Sequence, residues 1–382
     1  MKVIQSLLRH EIDLATALDT WRAFQPDLIL VFGPADWLRT LAQPLATHFG
    51  HACYLGCTTA GEISAQGVSD GTCVVTALRF ESARVQMTST VLMDMSDSAA
   101  AGARLAQQLP APGLRAVWVL GQGVGINGSA MIAGMTGVLG SGVLIAGGLA
   151  GDAAAFKETF VLDGAGVHAD RLVGVGLYGQ ALEVTHGSFG GWAPFGPARK
   201  VTRCRGNLLY ELDGEAALDV YKRYLGEHAK DLPASGLLFP FAMLGRDRSE
   251  VGLIRTILAV DEAQGSLTLA GDIDPDGYLR LMHASTDALV DGAEAAAQAA
   301  LTKSSGGDPG LALLVSCVGR KLVMGGRVEE EVEAVAEVFH QHAVLAGFYA
   351  YGEISPFTGE VACRLHNQTM TITYVTENTL PA

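Results

Sequence analysis

The sequence has few features of membrane, secreted or nucleic-acid-binding proteins. No apolar run approaches the roughly 18 to 20 residues of a membrane-spanning helix, and Met1 to His10 carries no signal-peptide core. The six cysteines form no CxxC pair, which favours reduced, mostly buried thiols over disulfides or a zinc site. The 26 Lys and Arg residues against 40 Asp and Glu disfavour polyanionic partners. We therefore expect a globular cytoplasmic protein with no membrane or nucleic-acid partner.

Motifs of hydrolytic enzymes are also lacking. Neither GxSxG nor HExxH occurs, and Cys317 has no histidine nearby in sequence. Gly123 to Gly128 matches the GxGxxG motif and follows an apolar run that is typical of a strand. This is the sequence context of a dinucleotide-binding site. The acidic residue such a site needs about twenty positions later would have to be Asp152, which belongs to a repeated glycine motif. We expect no catalytic residues and no enzyme activity.

What the sequence does contain is a repeat. Gly56 to Ile63 (GCTTAGEI) recurs as Gly347 to Ile354 (GFYAYGEI), with glycine, Gly-Glu and isoleucine at matching offsets. A weaker copy at Ala146 to Asp152 keeps the small residues, and Asp152 takes the place of the glutamate. Such repeats indicate supersecondary units that occur more than once.

Each copy has similar surroundings. An apolar run typical of a buried strand precedes it, at Leu28 to Phe32, Ala116 to Leu120 and Leu311 to Ser316. Between each apolar run and its glycine motif, apolar residues recur with helical spacing, most clearly from Val328 to Phe339. Runs rich in β-forming residues follow each motif. The predicted fold class is α/β (α+β mixed), with two related domains built from repeated strand, helix, strand, glycine-turn and hairpin units.

The chain length of 382 residues also favours two domains. We place the boundary at Asp213, which gives domains at 1–213 and 214–382, and we expect Asp213 to cap a helix beginning near Glu215. A further helix is predicted at about Ser285 to Lys303, followed by a flexible segment at Ser304 to Gly307.

Taken together, these motifs resemble the FIST family over nearly the whole chain. The resemblance rests on both glycine repeats, the central GGLAGD, Ser316 to Arg320 (SCVGR) and His366 to Thr369 (HNQT). It implies a FIST N domain followed by a FIST C domain, which are sensory modules for small ligands in signal transduction. Some members, the NosP type, are described as haem-dependent nitric-oxide sensors that regulate a histidine kinase. The resemblance therefore implies haem as a cofactor of this chain.

The signal is expected to reach a separate protein, such as a histidine kinase. The sequence contains no kinase, receiver or methyl-accepting segment of its own. A homodimer is a further arrangement compatible with this role.

Glu62 and Glu353 are the most informative carboxylates. In one interpretation each accepts backbone N–H groups across its glycine turn. In the other they face each other in an interdomain pocket and hold an amine or cationic ligand, because ligand sites favour domain interfaces. Tyr351 would form an apolar wall, and Arg320, His366 and Asn367 complete the predicted ligand pocket.

His186 is the candidate metal ligand for haem iron, which needs one axial imidazole in an apolar wall. It follows the predicted strand Leu182 to Thr185 and precedes a glycine-rich loop with Trp192, the second predicted cofactor contact. The alternative is a hydrogen-bonded loop histidine, and His340 or His342 would be the next candidate ligands. Two functions stay open: a haem-based nitric-oxide sensor acting on a separate kinase, or a sensor of a small polar metabolite such as an amino acid, without haem.

Overall fold

A computed structural model describes residues 1–301, 309–359 and 362–378, so Lys303 and the expected flexible segment Ser304 to Gly307 lie outside the described residues. The described chain forms a mixed α/β fold with three six-stranded sheets and one nine-stranded sheet. The sequence-based fold class is confirmed. No helix in these ranges is long and apolar enough to cross a membrane.

The first unit alternates strands and helices before a short hairpin and a return strand. Its elements are β1 (Lys2–Leu8), α1 (Ile12–Phe24), β2 (Leu28–Phe32), α2 (Ala35–His48), β3 (Cys53–Cys57), β4 (Glu62–Ser64), β5 (Gly67–Ser69) and β6 (Cys73–Arg79). Strands β2 and β3 are parallel, and β6 pairs antiparallel with β2. All five residues of β2 are buried, which agrees with its apolar run.

The second unit repeats this order. Its elements are β7 (Arg84–Val91), α3 (Ser98–Gln107), β8 (Leu114–Gly121), α4 (Gly128–Leu139), β9 (Leu144–Leu149), β10 (Val161–Asp163), β11 (Gly166–His168) and β12 (Arg171–Tyr178), with a 3-10 turn at Met95–Asp97. Strands β8 and β9 are again parallel, and β12 pairs with β8.

The third unit begins with β13 (Leu182–Phe189) and is then interrupted by an insertion that forms the nine-stranded sheet. The insertion contains β14 (Ala193–Pro194), β15 (Arg199–Arg205), β16 (Leu208–Leu212), β17 (Glu215–Ala216), α5 (Ala217–Leu225), β18 (Phe241–Leu244), β19 (Glu250–Arg255), β20 (Ile257–Asp261), β21 (Ser266–Leu269) and β22 (Tyr278–His283), with 3-10 turns at Gly226–Asp231 and Ala234–Leu237. The expected cap at Asp213 is wrong: α5 begins at Ala217, and Asp213 lies in a left-handed turn (φ 52°) before β17.

The unit resumes after the insertion. Its remaining elements are α6 (Thr286–Leu301), β23 (Gly310–Cys317), α7 (Val318–Met324), a 3-10 turn at Gly325–Arg327, α8 (Glu329–Phe339), β24 (Ala343–Ala350), β25 (Gly352–Pro356), β26 (Cys363–His366) and β27 (Met370–Glu377). The helical spacing from Val328 to Phe339 corresponds to α8, whose buried Val332, Val335 and Phe339 pack against the sheet.

The three units exchange their hairpins in a cycle. Hairpin β4–β5 of the first unit pairs with β24 of the third, β10–β11 of the second pairs with β3 of the first, and β25–β26 of the third pairs with β9 of the second. Each six-stranded sheet therefore contains strands of two units. The repeat consequently describes three interlocked units rather than two independent copies.

The repeated glycine has a steric cause. A Cβ atom at this position would meet a backbone carbonyl of the neighbouring parallel strand: 2.6 Å from Val31 at Gly56, 1.9 Å from Val119 at Gly147 and 1.8 Å from Leu314 at Gly347. Only glycine permits so close a strand approach. Four residues after each of these glycines, a backbone N–H donates to a carbonyl of another unit, so that the three units are joined in a cycle. The bonds run from Ala60 N to Tyr349 O, from Tyr351 N to Leu149 O and from Gly151 N to Thr58 O.

The register corrects one expectation about the middle copy. Ile63 pairs with Gly347 and Ile354 with Gly147, so Leu162, paired with Gly56, is their counterpart. The preceding residue, Val161, therefore stands where Glu62 and Glu353 stand. Asp152 does not replace the glutamate, because residues 152–159 form an extra loop at this point.

The core lies between the three sheets. Leu30, Trp118, Leu313 and Phe348, one or more from each unit, belong to one cluster of buried apolar residues. The insertion has a separate core around Leu209, Tyr221 and Leu267. The three units and the insertion therefore each have a core, and they meet at an interface between these two cores.

Candidate functional site

A cavity of about 700 Å³ lies between the second unit and the insertion. Residues 123–128, Ala154 and Phe156 of the second unit line the cavity, and Tyr351, Leu365 and Asn367 come from the third unit. The insertion contributes residues 231–234, Leu237, residues 257–258 and residues 269–272. The volume falls within the range of roughly 300 to 1,000 Å³ that is typical of small-molecule sites.

The GxGxxG string forms part of the cavity wall. A Cβ atom on Gly123 would lie 1.8 Å from the carbonyl oxygen of Ala150, and one on Gly128 would lie 2.9 Å from a Leu365 methyl carbon. Close packing accounts for Gly123 and Gly128, and a φ of 80° in the left-handed region accounts for Gly125, without a dinucleotide.

The loop at residues 152–158 is held by the carboxylate of Asp152. Oδ1 accepts a hydrogen bond from Phe156 N (2.8 Å) and from the Tyr351 hydroxyl, and Oδ2 accepts from Lys157 N (2.8 Å) and Glu158 N (3.0 Å). Burial raises the pKa of Asp152, but these hydrogen bonds outweigh burial and hold it below its usual value. The charge of Asp152 is thus used to shape the loop.

This loop also carries backbone strain beside the cavity. Ala153, Ala154 and Phe156 have φ values of 54°, 64° and 53°, a left-handed conformation that is uncommon for residues other than glycine. The Phe156 ring stacks on Tyr351 with centroids 4.3 Å apart, and both rings line the cavity. Strained backbone of this kind is concentrated at functional sites.

Asn367 is the polar group that is least explained by the fold. It lines the cavity and is 2% exposed, and its amide oxygen has no hydrogen-bond partner among the described residues. A buried polar atom without a partner costs about 1–3 kcal/mol. A ligand donor that meets this oxygen, once the amide turns towards the cavity, would remove that cost.

Gln368, the residue after Asn367, joins the third unit to the insertion. Its side-chain Nε2 donates to Leu237 O (3.1 Å), and its backbone carbonyl accepts from Trp192 Nε1 (2.8 Å). Arg255 of the insertion donates to Leu365 O (3.3 Å) and Asp272 O (3.3 Å). The element predicted from HNQT thus lies where the cavity and both cores meet.

Glu62 is satisfied by the hydroxyl groups of Thr59 and Thr72 and by the backbone N–H of Thr72. Its carboxylate accepts from Thr59 Oγ1 (2.5 Å), Thr72 N (3.1 Å) and Thr72 Oγ1 (3.0 Å). Burial raises the pKa of Glu62 to about 6 despite these bonds. Glu62 does not line the 700 Å³ cavity.

Glu353 occupies the equivalent position but is less well satisfied. Oε2 accepts from Thr369 N (3.1 Å), whereas Oε1 has no hydrogen bond of normal geometry among the described residues. Burial raises the pKa of Glu353 well above its usual range, although the Thr369 N–H and the neighbouring Cys317 thiol act to lower the pKa of this carboxyl group. It is fully buried beneath the HNQT element and is not a cavity-lining residue either.

Arg320 lies in the protein interior, away from the cavity lining. Its guanidinium donates to Glu331 Oε2 (2.8 Å) and Leu289 O (2.8 Å), with both charged side chains fully buried. Glu331 also accepts from the hydroxyls of Ser316 and Tyr349. In this structure Arg320 ties α7, α8 and α6 together.

His366 is buried one residue before Asn367. Its Nε2 lies 2.9 Å from Ser355 O, and burial lowers its pKa to about 4, so the imidazole is neutral at neutral pH. The structure therefore brings Tyr351 and Asn367 together in the cavity, places His366 and Glu353 behind them, and leaves Glu62 and Arg320 elsewhere.

His186 lies inside β13, paired with Thr373, rather than at the end of a strand. Its Nε2 is 3.1 Å from Phe357 O, and the residue borders a cavity of about 280 Å³. That volume is below the usual range for small-molecule sites, and none of the described residues lining the 700 Å³ cavity is a histidine. Trp192 donates to Gln368 O. These residues do not fit a haem held by His186.

The sequence reasoning missed the insertion as a wall of the cavity. Leu237, Ile257 and Leu269 carry no motif: Leu237 lies in a 3-10 turn, and Ile257 and Leu269 lie in ordinary β-rich segments. The exposed apolar side chains Met95, Leu258 and Leu322, which surround the same cavity, are visible only in the structure.

Comparison with known proteins supports the family resemblance. The FIST N domain model matches residues 27–215, and the FIST C domain model matches residues 217–356. No curated protein matches the sequence.

Two solved structures of cyanuric acid hydrolase match nearly the whole chain. The enzyme from A. caulinodans is 10% identical, with 99% of each chain covered and a TM-score of 0.39. A second, described as evolutionary innovation by structural concatenation, is 10% identical, with 98% of this chain and 99% of that chain covered and a TM-score of 0.36. These findings contradict the expectation that this chain is not an enzyme, because both similar structures are hydrolases. At these scores the likeness assigns no reaction to this chain.

Proposed function

Because this chain belongs to the FIST family and carries both its N domain and its C domain, we propose that it senses a small polar metabolite in the 700 Å³ cavity. FIST domains are associated with sensing of small ligands in signal transduction. The supporting observation is Asn367, a buried amide in the cavity wall whose oxygen has no partner among the described residues.

Signal transfer would follow from the position of the cavity. Its walls come from the second unit, the third unit and the insertion, so a ligand that contacts all three changes how they are held together. A separate signalling protein, such as a histidine kinase, would read this change.

The test is a thermal-shift screen of the protein with a panel of small metabolites, followed by calorimetric titration of each hit. Ala234, on the 3-10 turn at Ala234–Leu237, lines the cavity and is exposed, so Ala234→Trp should fill the cavity without disturbing the core. Ala336→Trp on the exposed face of α8 is the matched control. Binding that survives in the control and disappears in Ala234→Trp supports the proposal; equal binding in both variants, or no hit, contradicts it.

Haem-based nitric-oxide sensing stays a prediction from the family resemblance. An absorption titration of the same protein with haemin tests it directly. A Soret band that responds to nitric oxide and is lost in His186→Ala would support haem over the metabolite. Identical spectra of wild type and His186→Ala would remove His186 as ligand.

A further inference from the structure

The cavity is apolar inside and acidic at its edge. Leu149, Ile257 and Leu365 line its interior, and Asp231 and Asp272, both exposed, line its edge. Among the described residues that line it, none is Lys or Arg. A bound ligand therefore contacts apolar surface in the interior and the two aspartates where the cavity opens to solvent.

One buried cation lies behind this wall. Arg255 is 3% exposed, and its guanidinium donates to the carbonyl oxygens of Ile254, Leu365 and Asp272. It does not line the 700 Å³ cavity, although its charge acts on Asp272. Arg255 thus offsets part of one carboxylate and leaves Asp231 uncompensated by any cavity-lining cation among the described residues.

Hydrogen-bond acceptors collect on the same side. Arg255 bridges the carbonyls of Asp272 and Leu365, which places Asn367, two residues after Leu365, close to the Asp272 edge. The amide oxygen of Asn367 has no donor among the described residues. The stacked rings of Phe156 and Tyr351, which also line the cavity, offer an aromatic face of the kind that attracts cations.

We propose that the ligand of this cavity is an amine with an apolar body. Its ammonium group lies at the Asp231 and Asp272 edge, where carboxylates and the Asn367 oxygen accept its N–H groups, and its body lies among the leucine and isoleucine side chains. This identification rests on the proposed function. A free amino acid fits less well, because none of the described residues that line the cavity is a Lys or Arg that could pair with its carboxylate.

Three probes with one body and different charges test the identification. Titration calorimetry with 2-phenylethylamine, 2-phenylethanol and 3-phenylpropionate, at low and at high salt, measures the dissociation constant of each. We expect the amine to bind most tightly, the carboxylate most weakly, and only the amine to lose affinity as salt increases.

The matched variants are Asp231→Asn/Asp272→Asn and, as a control with the same change of charge, Glu333→Gln/Glu337→Gln on the exposed face of α8. The first pair should weaken amine binding by about threefold to tenfold, as expected for exposed charge pairs, and leave the alcohol unchanged. The control pair should change neither.

Equal binding of amine and alcohol, stronger binding of the carboxylate, or no binding of the amine would overturn the amine identification. The proposed sensing function is separate. It stands if any metabolite binds in a way that Ala234→Trp abolishes, and falls if none does.

Discussion

At the scale of single residues, two equivalent glutamates have different environments. Glu62 receives three hydrogen bonds from Thr59 and Thr72, whereas Glu353 receives one from Thr369 and keeps a buried oxygen without a hydrogen bond of normal geometry among the described residues. Both are buried, and burial raises the pKa of each. Part of the difference lies within the repeated motif, because Thr59 donates to Glu62 and its counterpart Ala350 has no hydroxyl group.

Glu62 should make stability depend on pH. Its pKa is about 6 in the folded protein and 4.5 ordinarily, so between these values the folded state holds a proton that the unfolded state has released. Stability contributed at this site therefore falls as pH rises from about 4.5 to about 6, by about 2 kcal/mol, and is constant outside that window.

Glu62→Gln should remove this fall, because glutamine keeps an acceptor for Thr72 and does not ionise. Urea denaturation of wild type and variant from pH 4 to pH 7 measures it, with Glu337→Gln, an exposed residue of α8, as control. A free energy difference between wild type and Glu62→Gln that does not change with pH would show that Glu62 titrates normally.

At the scale of elements, the loop at residues 152–158 depends on one carboxylate. Asp152 accepts three backbone N–H groups and the Tyr351 hydroxyl, while Ala153, Ala154 and Phe156 hold left-handed conformations. These bonds must offset the cost of the strained residues, which is about 1–3 kcal/mol each. The loop conformation is therefore stable only while all four hydrogen bonds to Asp152 are present.

Asp152→Asn should loosen this loop. The asparagine amide would place N–H groups against those of Lys157 and Glu158, so the variant should lose about 1–3 kcal/mol of stability and bind cavity ligands more weakly. Hydrogen exchange at the Phe156, Lys157 and Glu158 amides should accelerate. Lys157→Gln, which keeps every backbone bond, is the control; unchanged exchange in Asp152→Asn would refute this account.

At the scale of the whole molecule, the insertion is separable from the three units. Ala193 pairs with His283 and Pro194 with Met282, so the chain enters and leaves the insertion through adjacent strands. The insertion also has a core of its own. The hairpin exchange among the three units does not involve it.

Replacing residues 194–282 with an Asn-Gly turn should therefore leave the three-sheet core folded. The bonds of Arg255 to Leu365 and of Gln368 to Leu237 would be lost, so the melting temperature should decrease. Circular dichroism and calorimetry measure folding, and ligand titration should show that binding is lost with the cavity wall. A shortened chain that does not fold, or that still binds cavity ligands, would contradict this picture.

The sequence by itself determined the local elements. Leu28–Phe32 coincides with β2, the spacing from Val328 to Phe339 corresponds to α8, and the repeated glycines mark equivalent strands. These signals can be read from the sequence because burial restricts a position to apolar residues, and close backbone approach restricts a position to glycine. The family resemblance follows from the same motifs.

Only the tertiary structure decided which elements meet. The hairpins cross between units, Val161 rather than Asp152 occupies the glutamate position, and His186 lies inside a strand. The cavity combines Ile126, Leu237 and Asn367, which are far apart in the chain and carry no common motif. A periodic pattern records how deeply each residue is buried, whereas the partner it is buried against depends on how the three units and the insertion pack together.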